Sequence, residues 1–267
     1  MAITPVTQGQ LHYLRADGIA VPHCFTTRLG GVSQGALASL NIGQRCGDDP
    51  KNVEQNLAIL GAAVGFSPDA LVAGRQIHSD IVRRVDSRDT GRFFLPDASP
   101  QCDGLITCTP GVALAVFTAD CTPILLHDPV TGAVGAVHAG WRGTAMDIGG
   151  KAVQAMVREF GCDPKNIRAA IGPNIGPCCF ETNADVPDAL AETYGAAAQK
   201  WVEARNGKYY VNLKAINALS LARAGVETIE ISPLCTACRQ DLFWSHRKVG
   251  LNRGSQGAII VCKEVSE

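Results

Sequence analysis

The chain has 267 residues, and its 24 lysines and arginines are balanced by 25 aspartates and glutamates. Because so small a net charge gives no electrostatic footprint for nucleic acid or an anionic membrane, we expect neither as a partner. Hydrophobic residues make up 46% of the sequence and charged residues 18%, which excludes a disordered or fibrous protein. No linker-like segment divides the chain, so residues 1–267 are predicted to form a single domain.

The pattern at the start of the chain and the cysteine content favour a cytoplasmic location. Residues 1–5 lack the basic and apolar regions of a secretory signal. The longest apolar stretches, 111–119 and 133–139, are shorter than the roughly 18 residues that span a bilayer. The eleven cysteines, an odd number in a long chain, indicate buried reduced thiols rather than a disulfide framework.

The first half of the chain is predicted to hold one helix and a cluster of strands. Apolar residues recur at helical spacing between Asn52 and Gly65, which predicts the helix. Short apolar runs predict strands over 19–26, 71–77, 104–108, 112–118, 123–127 and 133–138. Since parallel neighbours need a crossover of about a dozen residues, these closely spaced strands indicate an antiparallel or mixed sheet.

The second half adds helices and further strands. Thr144 is predicted to cap a helix that runs to about Phe160 and stops at Gly161. A second capped helix is predicted over 212–224, and strands over 167–171, 226–231 and 258–262. Because strands and helices come in blocks rather than in strict alternation, the predicted fold class is α+β.

Three reactive residues stand where predicted elements end, which is where active sites are usually built. His78 follows a strand, Cys121 lies between two strands, and His138 lies at a strand-to-helix turn. Two imidazoles and one thiolate suit zinc, and three protein ligands leave a fourth position open for catalysis. On spacing alone, a buried thiol with two unrelated histidines is the commoner arrangement. Cys121 and His138 could instead form a nucleophile–base pair, oriented by Asp120 or another acid.

Several polar residues are candidates for substrate binding. Arg142 follows His138 at a predicted helix start, where amides and a guanidinium together suit phosphate. Arg28 and Asn41 flank a glycine-rich loop that matches neither a dinucleotide-binding fingerprint nor a P-loop. Both are therefore candidate substrate contacts, with a structural role as the alternative.

The remaining cysteines leave several interpretations open. Cys235 and Cys238 form the only C-x-x-C of the sequence, whereas Cys178 and Cys179 are adjacent and do not form the second pair of a zinc ribbon. A redox pair and a plain packing role both remain open for Cys235 and Cys238. Glu181, in the turn-rich segment after Cys179, could carry a proton.

Taken together, these segments resemble the YfiH family, also called the laccase-domain, multicopper polyphenol oxidase or peptidoglycan editing factor family. The resemblance extends from about residue 20 to residue 262, and its densest motif surrounds His138. The matching segments are Thr26-Thr27-Arg28, Gly30-Gly31-Val32-Ser33, Ser39-Leu40-Asn41-Ile42-Gly43, Gln76-Ile77-His78, Asp103-Gly104, residues 118–123 and 138–143, and Ile171-Gly172-Pro173.

The resemblance implies a fold and an activity. It implies a four-layer α/β/β/α sandwich with mixed sheets, and zinc bound by His78, Cys121 and His138. It implies phosphorolysis of adenosine, inosine and S-methyl-5'-thioadenosine, with adenosine deamination as a side activity. Cys121 and His138 are then the catalytic residues. Phosphate and a purine nucleoside are the expected small-molecule partners, and the sequence does not identify any partner protein.

The same resemblance adds one substrate contact and two alternative activities. The segment 243–248 resembles an aromatic–serine–arginine motif of the family, which makes Arg247 a candidate phosphate clamp beside Arg28 and Arg142. One alternative is a cysteine hydrolase that edits peptidoglycan precursors. The other, a laccase, fits poorly because six histidines without an H-x-H pair cannot ligate a multicopper centre. Adventitious copper at a nitrogen and sulfur site remains compatible with the sequence.

Overall fold

The computed structural model describes residues 2–93 and 99–264. Its helices are α1 (Pro50–Val64), α2 (Trp141–Ala145), α3 (Ile148–Phe160), α4 (Asp185–Tyr194), α5 (Ala196–Gln199), α6 (Leu213–Arg223) and α7 (His246–Val249). Its strands are β1 (Ile3–Gln8), β2 (Leu11–Ala16), β3 (His23–Thr26), β4 (Leu71–Ala73), β5 (Val82–Arg84), β6 (Gly104–Thr107), β7 (Ala113–Thr118), β8 (Thr122–His127), β9 (Val134–Ala139), β10 (Arg168–Ile171), β11 (Glu181–Thr182), β12 (Val202–Arg205), β13 (Lys208–Val211), β14 (Thr228–Ile231) and β15 (Gln256–Val261). No helix within these described ranges is long and apolar enough to cross a membrane.

Two six-stranded sheets form the centre of the molecule. The first has the order β1-β2-β3-β15-β7-β4 and the second has the order β14-β10-β8-β9-β6-β5. Most neighbours are antiparallel, but β4 pairs with β7, β5 with β6 and β10 with β14 in parallel. The predicted α+β class with mixed sheets is therefore confirmed.

Alternating side chains along the strands divide the core into layers, because successive residues of a strand point to opposite faces. On β7, Leu114 and Val116 pack between the two sheets, whereas Ala113 and Ala115 pack towards α1. On β8, Leu125 joins the core between the sheets, and its two neighbours join the core that contains α3. The order of layers is thus α1, first sheet, second sheet, and then α3 with α6, which is the four-layer sandwich that the resemblance implied.

A smaller unit extends the second half of the chain. The strands β11, β13 and β12 form a three-stranded antiparallel sheet, and α4 and α5 lie beside it. Its core contains Leu190, Val211 and Phe180, and it packs against Ala145 of α2 and Ile216 of α6. These elements were missing from the sequence prediction, as was the hairpin of β1 and β2.

The helix predicted to start at Thr144 is in fact two helices. Asp147 interrupts it with a left-handed backbone (φ 62°), and its carboxylate accepts hydrogen bonds from Tyr194 and Ser220. The hydroxyl of Thr144 accepts a hydrogen bond from Asn217 and does not cap a helix. The prediction of a Thr144 cap was therefore wrong, because side chains from α4 and α6 fix the break.

Two predicted strands are each four residues shorter in the structure than in the sequence pattern. The strand expected over 71–77 ends at Ala73, and the strand expected over 19–26 begins at His23. The early end of β4 matters for the site, because residues 74–78 then leave the sheet and carry His78 towards β9.

Candidate metal centre and adjoining cavity

Three ligand-type side chains from distant parts of the chain meet at one end of the second sheet. His78 lies on the loop after β4, Cys121 lies on the turn between β7 and β8, and His138 lies near the end of β9. Their ligand atoms all lie within 4.8 Å of one another. The two imidazole rings are 5.0 Å apart, edge to face. We call His78, Cys121 and His138 the three-ligand cluster.

Asp103 positions two of these three residues. One carboxylate oxygen accepts hydrogen bonds from the His138 ring Nδ1 at 2.8 Å and from the backbone N–H of His78 at 3.0 Å. The other oxygen accepts from the backbone and hydroxyl of Ser79, each at 2.7 Å, and from the backbone of Ile77. Because Asp103 engages Nδ1 of His138, the ring presents Nε2 to the cluster. The acid that orients this imidazole is therefore Asp103 rather than Asp120.

The protonation of the two histidines responds to different neighbours. Burial lowers the pKa of His138, but the Cys121 sulfur and the Asp103 carboxylate outweigh it and raise the pKa to about 9. Burial and the neighbouring His138 instead lower the pKa of His78. His138 is 3% exposed, whereas His78 is exposed on the cavity side.

Asp120 has a structural task next to Cys121. Its backbone is left-handed (φ 88°), which is costly for a residue with a side chain. Its carboxylate accepts hydrogen bonds from the hydroxyls of Thr236 and Ser245 and from the backbone N–H of Arg247. These three bonds fix the turn that presents Cys121 and tie it to the segment before α7.

Gly140 makes room for the three-ligand cluster. A Cβ atom at this position would lie 2.6 Å from Nδ1 of His78 and 3.3 Å from the Cys121 sulfur. The glycine therefore lets the chain pass close to both ligand atoms. Two imidazoles and a thiolate are a donor set that zinc prefers, and three protein ligands leave one coordination position for another group. The residues present fit a divalent metal ion.

The cluster opens onto a cavity of about 640 Å³. Five arginines contribute to its lining: Arg45, Arg75, Arg142, Arg247 and Arg253. Among the described lining residues, Asp120 supplies the sole carboxylate, and its oxygens are already hydrogen-bonded. Aromatic rings of Phe93, Phe117 and Trp141 add apolar surface. We call this space the basic cavity, and its size suits a small organic anion or a nucleoside with an anion.

The four predicted substrate contacts fall into two pairs. Arg142 and Arg247 line the basic cavity, as do the three cluster residues. Arg142 is exposed and stacks on Trp141 at 4.2 Å, so its guanidinium is available to a ligand. Arg247 donates to the backbone carbonyls of Cys179 and Glu181.

Arg28 and Asn41 are not among the described residues that line the cavity. The guanidinium of Arg28 donates to the carbonyls of Ala38 and Gln240. Asn41 is fully buried, and its amide bonds to Gly43, Asp48 and Ser255. Both side chains therefore have a structural role. The geometry does not support the prediction that either one contacts substrate directly. Glu181, the suggested proton carrier, accepts a hydrogen bond from Tyr210 and lies outside the described lining.

Sequence reasoning missed several residues of the site. Asp103 was visible only as part of an Asp-Gly pair in the resemblance, with no assigned task. Arg75 and Arg253 line the cavity, and Gln76 exchanges two hydrogen bonds with the backbone of Phe117. Arg75 and Gln76 could have been identified from the sequence, because they lie just before His78 at the predicted end of a strand.

The fold and the site define an α+β protein with a His/Cys metal-type cluster in the wall of an arginine-rich cavity. Residues 22–263 match the family described as multi-copper polyphenol oxidoreductase laccase. The chain belongs to this family, and the predicted membership is confirmed.

Relatives and solved structures agree with this placement over nearly the full chain. A protein of Deinococcus radiodurans named purine nucleoside phosphorylase is 40% identical, over 96% of this chain and 94% of its own length. Purine nucleoside phosphorylase YlmD of Geobacillus stearothermophilus is 39% identical, over 88% of this chain and 86% of its own. A crystal structure of YlmD from the same organism superposes with a TM-score of 0.90 at 36% identity, covering 97% and 99% of the two chains.

Proposed function

We propose that the protein is a zinc-dependent purine nucleoside phosphorylase. The proposed substrates are adenosine, inosine and S-methyl-5'-thioadenosine, with adenosine deamination as a side activity. One observation carries the proposal: the three-ligand cluster opens directly into a cavity whose described lining holds five arginines. The names of the relatives support the same reaction class.

The cavity lining suits both substrates of a phosphorolysis. Phosphate needs several cationic donors, and Arg142 offers an exposed guanidinium that stacks on Trp141 in the cavity lining. A purine base needs flat apolar surface, which Phe117 and Trp141 supply. Because the described lining carries a single, already engaged carboxylate, a phosphate dianion meets little repulsion there.

The proposed reaction is attack of a phosphate oxygen on C1′ of the ribose as the glycosidic bond breaks. The bond electrons leave with the purine, which takes up a proton, and ribose 1-phosphate forms. The arginines hold the attacking phosphate beside C1′ and offset its charge. Asp103 keeps the His138 ring in one tautomer, so the cluster geometry is fixed before substrate arrives.

His78, Cys121 and His138 would hold the zinc ion. When bound, it supplies Lewis-acid chemistry at the cavity wall, which is also what deamination at C6 of adenosine requires. The loop after β4, the turn before β8 and the strand β9 supply these three ligands, and Gly140 lets the chain pass close to them.

The test is a product assay on protein with measured metal content. Purified protein is incubated with inosine and phosphate, and free hypoxanthine and ribose 1-phosphate are quantified. We expect both products in equal amounts, and we expect Cys121→Ala to lose the zinc of the three-ligand cluster and the product together. Cys24→Ala, which removes a fully buried thiol outside the cluster, is the matched control. A metal-loaded protein that forms no product from any purine nucleoside contradicts the proposal.

A cysteine hydrolase is the second candidate, and one observation favours it. In the absence of a metal, Cys121, His138 and Asp103 form a chain of nucleophile, base and orienting acid. This arrangement would cleave a peptidoglycan precursor through a covalent thioester. Removing the metal with a chelator distinguishes the two candidates. Chelation should abolish phosphorolysis but leave a thiol hydrolase active.

A further inference from the structure

A second group of sulfur ligands lies apart from the three-ligand cluster. The sulfurs of Cys178, Cys179, Cys235 and Cys238 all lie within 4.8 Å of one another. Cys238 is central, at 3.6 Å from the Cys178 sulfur and 3.4 Å from the Cys179 sulfur. All four are free thiols, and none of them is among the described residues that line the basic cavity. We call them the four-cysteine cluster.

Backbone hydrogen bonds hold the two cysteine-bearing turns in place. Asn174 and Cys235 form an isolated parallel bridge, in which the backbone N–H of Thr236 donates to the Asn174 carbonyl. The turn that carries Cys178 and Cys179 closes on the carbonyl of Gly176, which accepts from two backbone N–H groups. The four sulfurs therefore converge because rigid backbone places them, and a ligand would find them already arranged.

Gly176 has the same task here that Gly140 has at the other cluster. A Cβ atom at Gly176 would lie 3.3 Å from the Cys178 sulfur and 3.2 Å from Cβ of Cys235, tighter than ordinary contact. Its backbone N–H donates to the Cys235 sulfur at 3.1 Å. Such a bond from an amide to sulfur stabilises a thiolate, which is the form that ligates metal.

Cations lie next to this group of sulfurs. The buried ammonium of Lys214 donates to the carbonyls of Ser232 and Leu234, just before Cys235. The guanidinium of Arg247 donates to the carbonyl of Cys179. Four thiolates around a divalent ion carry a net negative charge, so these two cations offset the charge of an occupied site.

We propose that the four-cysteine cluster binds a structural zinc ion with all four thiolates. Four sulfur ligands close the tetrahedron, so this ion has no vacant position and takes no part in turnover. Binding is not a redox step: each thiol that is protonated releases its proton to solvent as its sulfur ligates.

A disulfide is a poorer use of the same four residues. Cys178 and Cys179 both have Cys238 as a close neighbour, so a disulfide from Cys238 to one of them excludes the other. A single zinc ion engages all four sulfurs at once. The two segments, which the chain separates by more than fifty residues, are then joined through the ion.

The proposed ion would brace one wall of the basic cavity. Phe180 follows Cys179 directly and lines the cavity, and Arg247 links Cys179 to the same space. Thr236, between the two cysteines of the C-x-x-C, donates to Asp120 beside Cys121. Loss of the ion should therefore loosen this wall while leaving the three-ligand cluster loaded.

The experiment counts zinc per chain by elemental analysis after dialysis of protein purified under reducing conditions. We expect two ions in the unmodified protein and one in Cys178→Ser/Cys238→Ser. His78→Ala should also retain one ion, bound at the other cluster. Cys108→Ser removes a half-buried thiol outside both clusters and should keep both ions. In His78→Ala, cobalt substitution should give the thiolate charge-transfer bands of a four-sulfur site.

Two results would overturn the proposal. One is a zinc content that does not fall in Cys178→Ser/Cys238→Ser. The other is an intact mass lighter by two or four hydrogens without reductant, together with a thiol count that falls by the same number, which shows one or two disulfides. If the double variant does not fold, X-ray absorption spectroscopy at the zinc edge of His78→Ala identifies the atoms that ligate the remaining ion. Four sulfur neighbours support the site, whereas nitrogen neighbours or no bound zinc exclude it.

This test is independent of the phosphorylase proposal. A protein with two zinc ions and no product from nucleosides keeps the four-cysteine site and loses the proposed function. A protein with one zinc ion, lost in His78→Ala, and normal product formation keeps the function and loses the four-cysteine site.

Discussion

The three-ligand cluster and the four-cysteine cluster collect metal-binding side chains in contrasting ways. The first combines two imidazoles with one sulfur, takes them from the ends of strands and nearby loops, and faces a cavity. The second combines four sulfurs on two turns that hydrogen bonds already join. An incomplete ligand set beside a cavity suits reaction, whereas a complete set between two segments suits stability. Ligand number and surroundings, rather than the presence of cysteine, distinguish the two.

The largest expected effect is a loss of zinc affinity at the three-ligand cluster, with zinc binding at the four-cysteine cluster unchanged. Gly140→Ala would place a methyl group 2.6 Å from Nδ1 of His78, so one ligand must move. We expect zinc affinity at the three-ligand cluster to fall more than about 100-fold, with phosphorolysis falling in parallel. Competition with a zinc chelator and the product assay measure both.

Gly135→Ala is the matched control, because Gly135 lies on β9, the strand that leads directly into Gly140. There a methyl group would meet Ile106 and Leu126 at ordinary contact distance, 3.4 Å. It should keep metal and turnover near those of the unmodified protein. Equal zinc affinity in the two variants would show that Gly140 is not needed for the ligand geometry.

A smaller effect is expected when the support of His138 is changed. Asp103→Asn replaces one acceptor oxygen with an amide NH₂ that faces the N–H groups of Ser79 or His78. The ring of His138 loses its charged partner, and we expect zinc affinity at the three-ligand cluster to fall about 10- to 100-fold. Zinc titration of the dialysed protein measures the change.

Asp128→Asn changes a buried carboxylate in the turn between β8 and β9 and serves as the comparison. It should leave zinc affinity unaltered at both clusters. If Asp103→Asn binds zinc as tightly as Asp128→Asn does, the positioning role of Asp103 is wrong.

The smallest expected effect is on the KM for phosphate, and it distinguishes Arg142 from Arg28. The sequence predicted both as substrate contacts. Arg142→Ala removes a cavity guanidinium, and a lost hydrogen bond to a charged group costs about 1.5–3 kcal/mol. We expect the KM for phosphate to rise roughly tenfold or more, with zinc content unchanged. Arg28→Ala removes bonds to Ala38 and Gln240 and should lower the Tm instead. A rise in phosphate KM in Arg28→Ala of the same size would place phosphate elsewhere.

Sequence patterns located the reactive residues better than the residues that hold them. His138 and Cys121 are detectable because each stands at the end of a regular apolar run. Asp103 is 35 residues from His138, and no local pattern shows that they pair. Thr144 looked like a cap because its role depends on Asn217, which lies 73 residues further along.

The four-cysteine cluster shows the same limit. Spacing identified Cys235 and Cys238 as a pair, but adjacent Cys178 and Cys179 do not match the usual second pair of a zinc ribbon. The bridge between Asn174 and Cys235 and the hydrogen bond from Gly176 to the Cys235 sulfur bring these turns together in the fold. The α+β class was easier, because predicted strands and helices follow one another in blocks along the chain, whereas the four-layer arrangement was implied only by the resemblance.

The position of β15 has a consequence for how the chain matures on the ribosome. Residues 256–261 fill the gap between β3 and β7, pairing Ile259 with Cys24 on one side and with Ala115 on the other. The first sheet therefore remains in two pieces, with open edges, until this late segment has been synthesised. Nascent chains stalled before residue 256 should depend on chaperones. The native topology should assemble only after residues 256–261 have emerged from the ribosome.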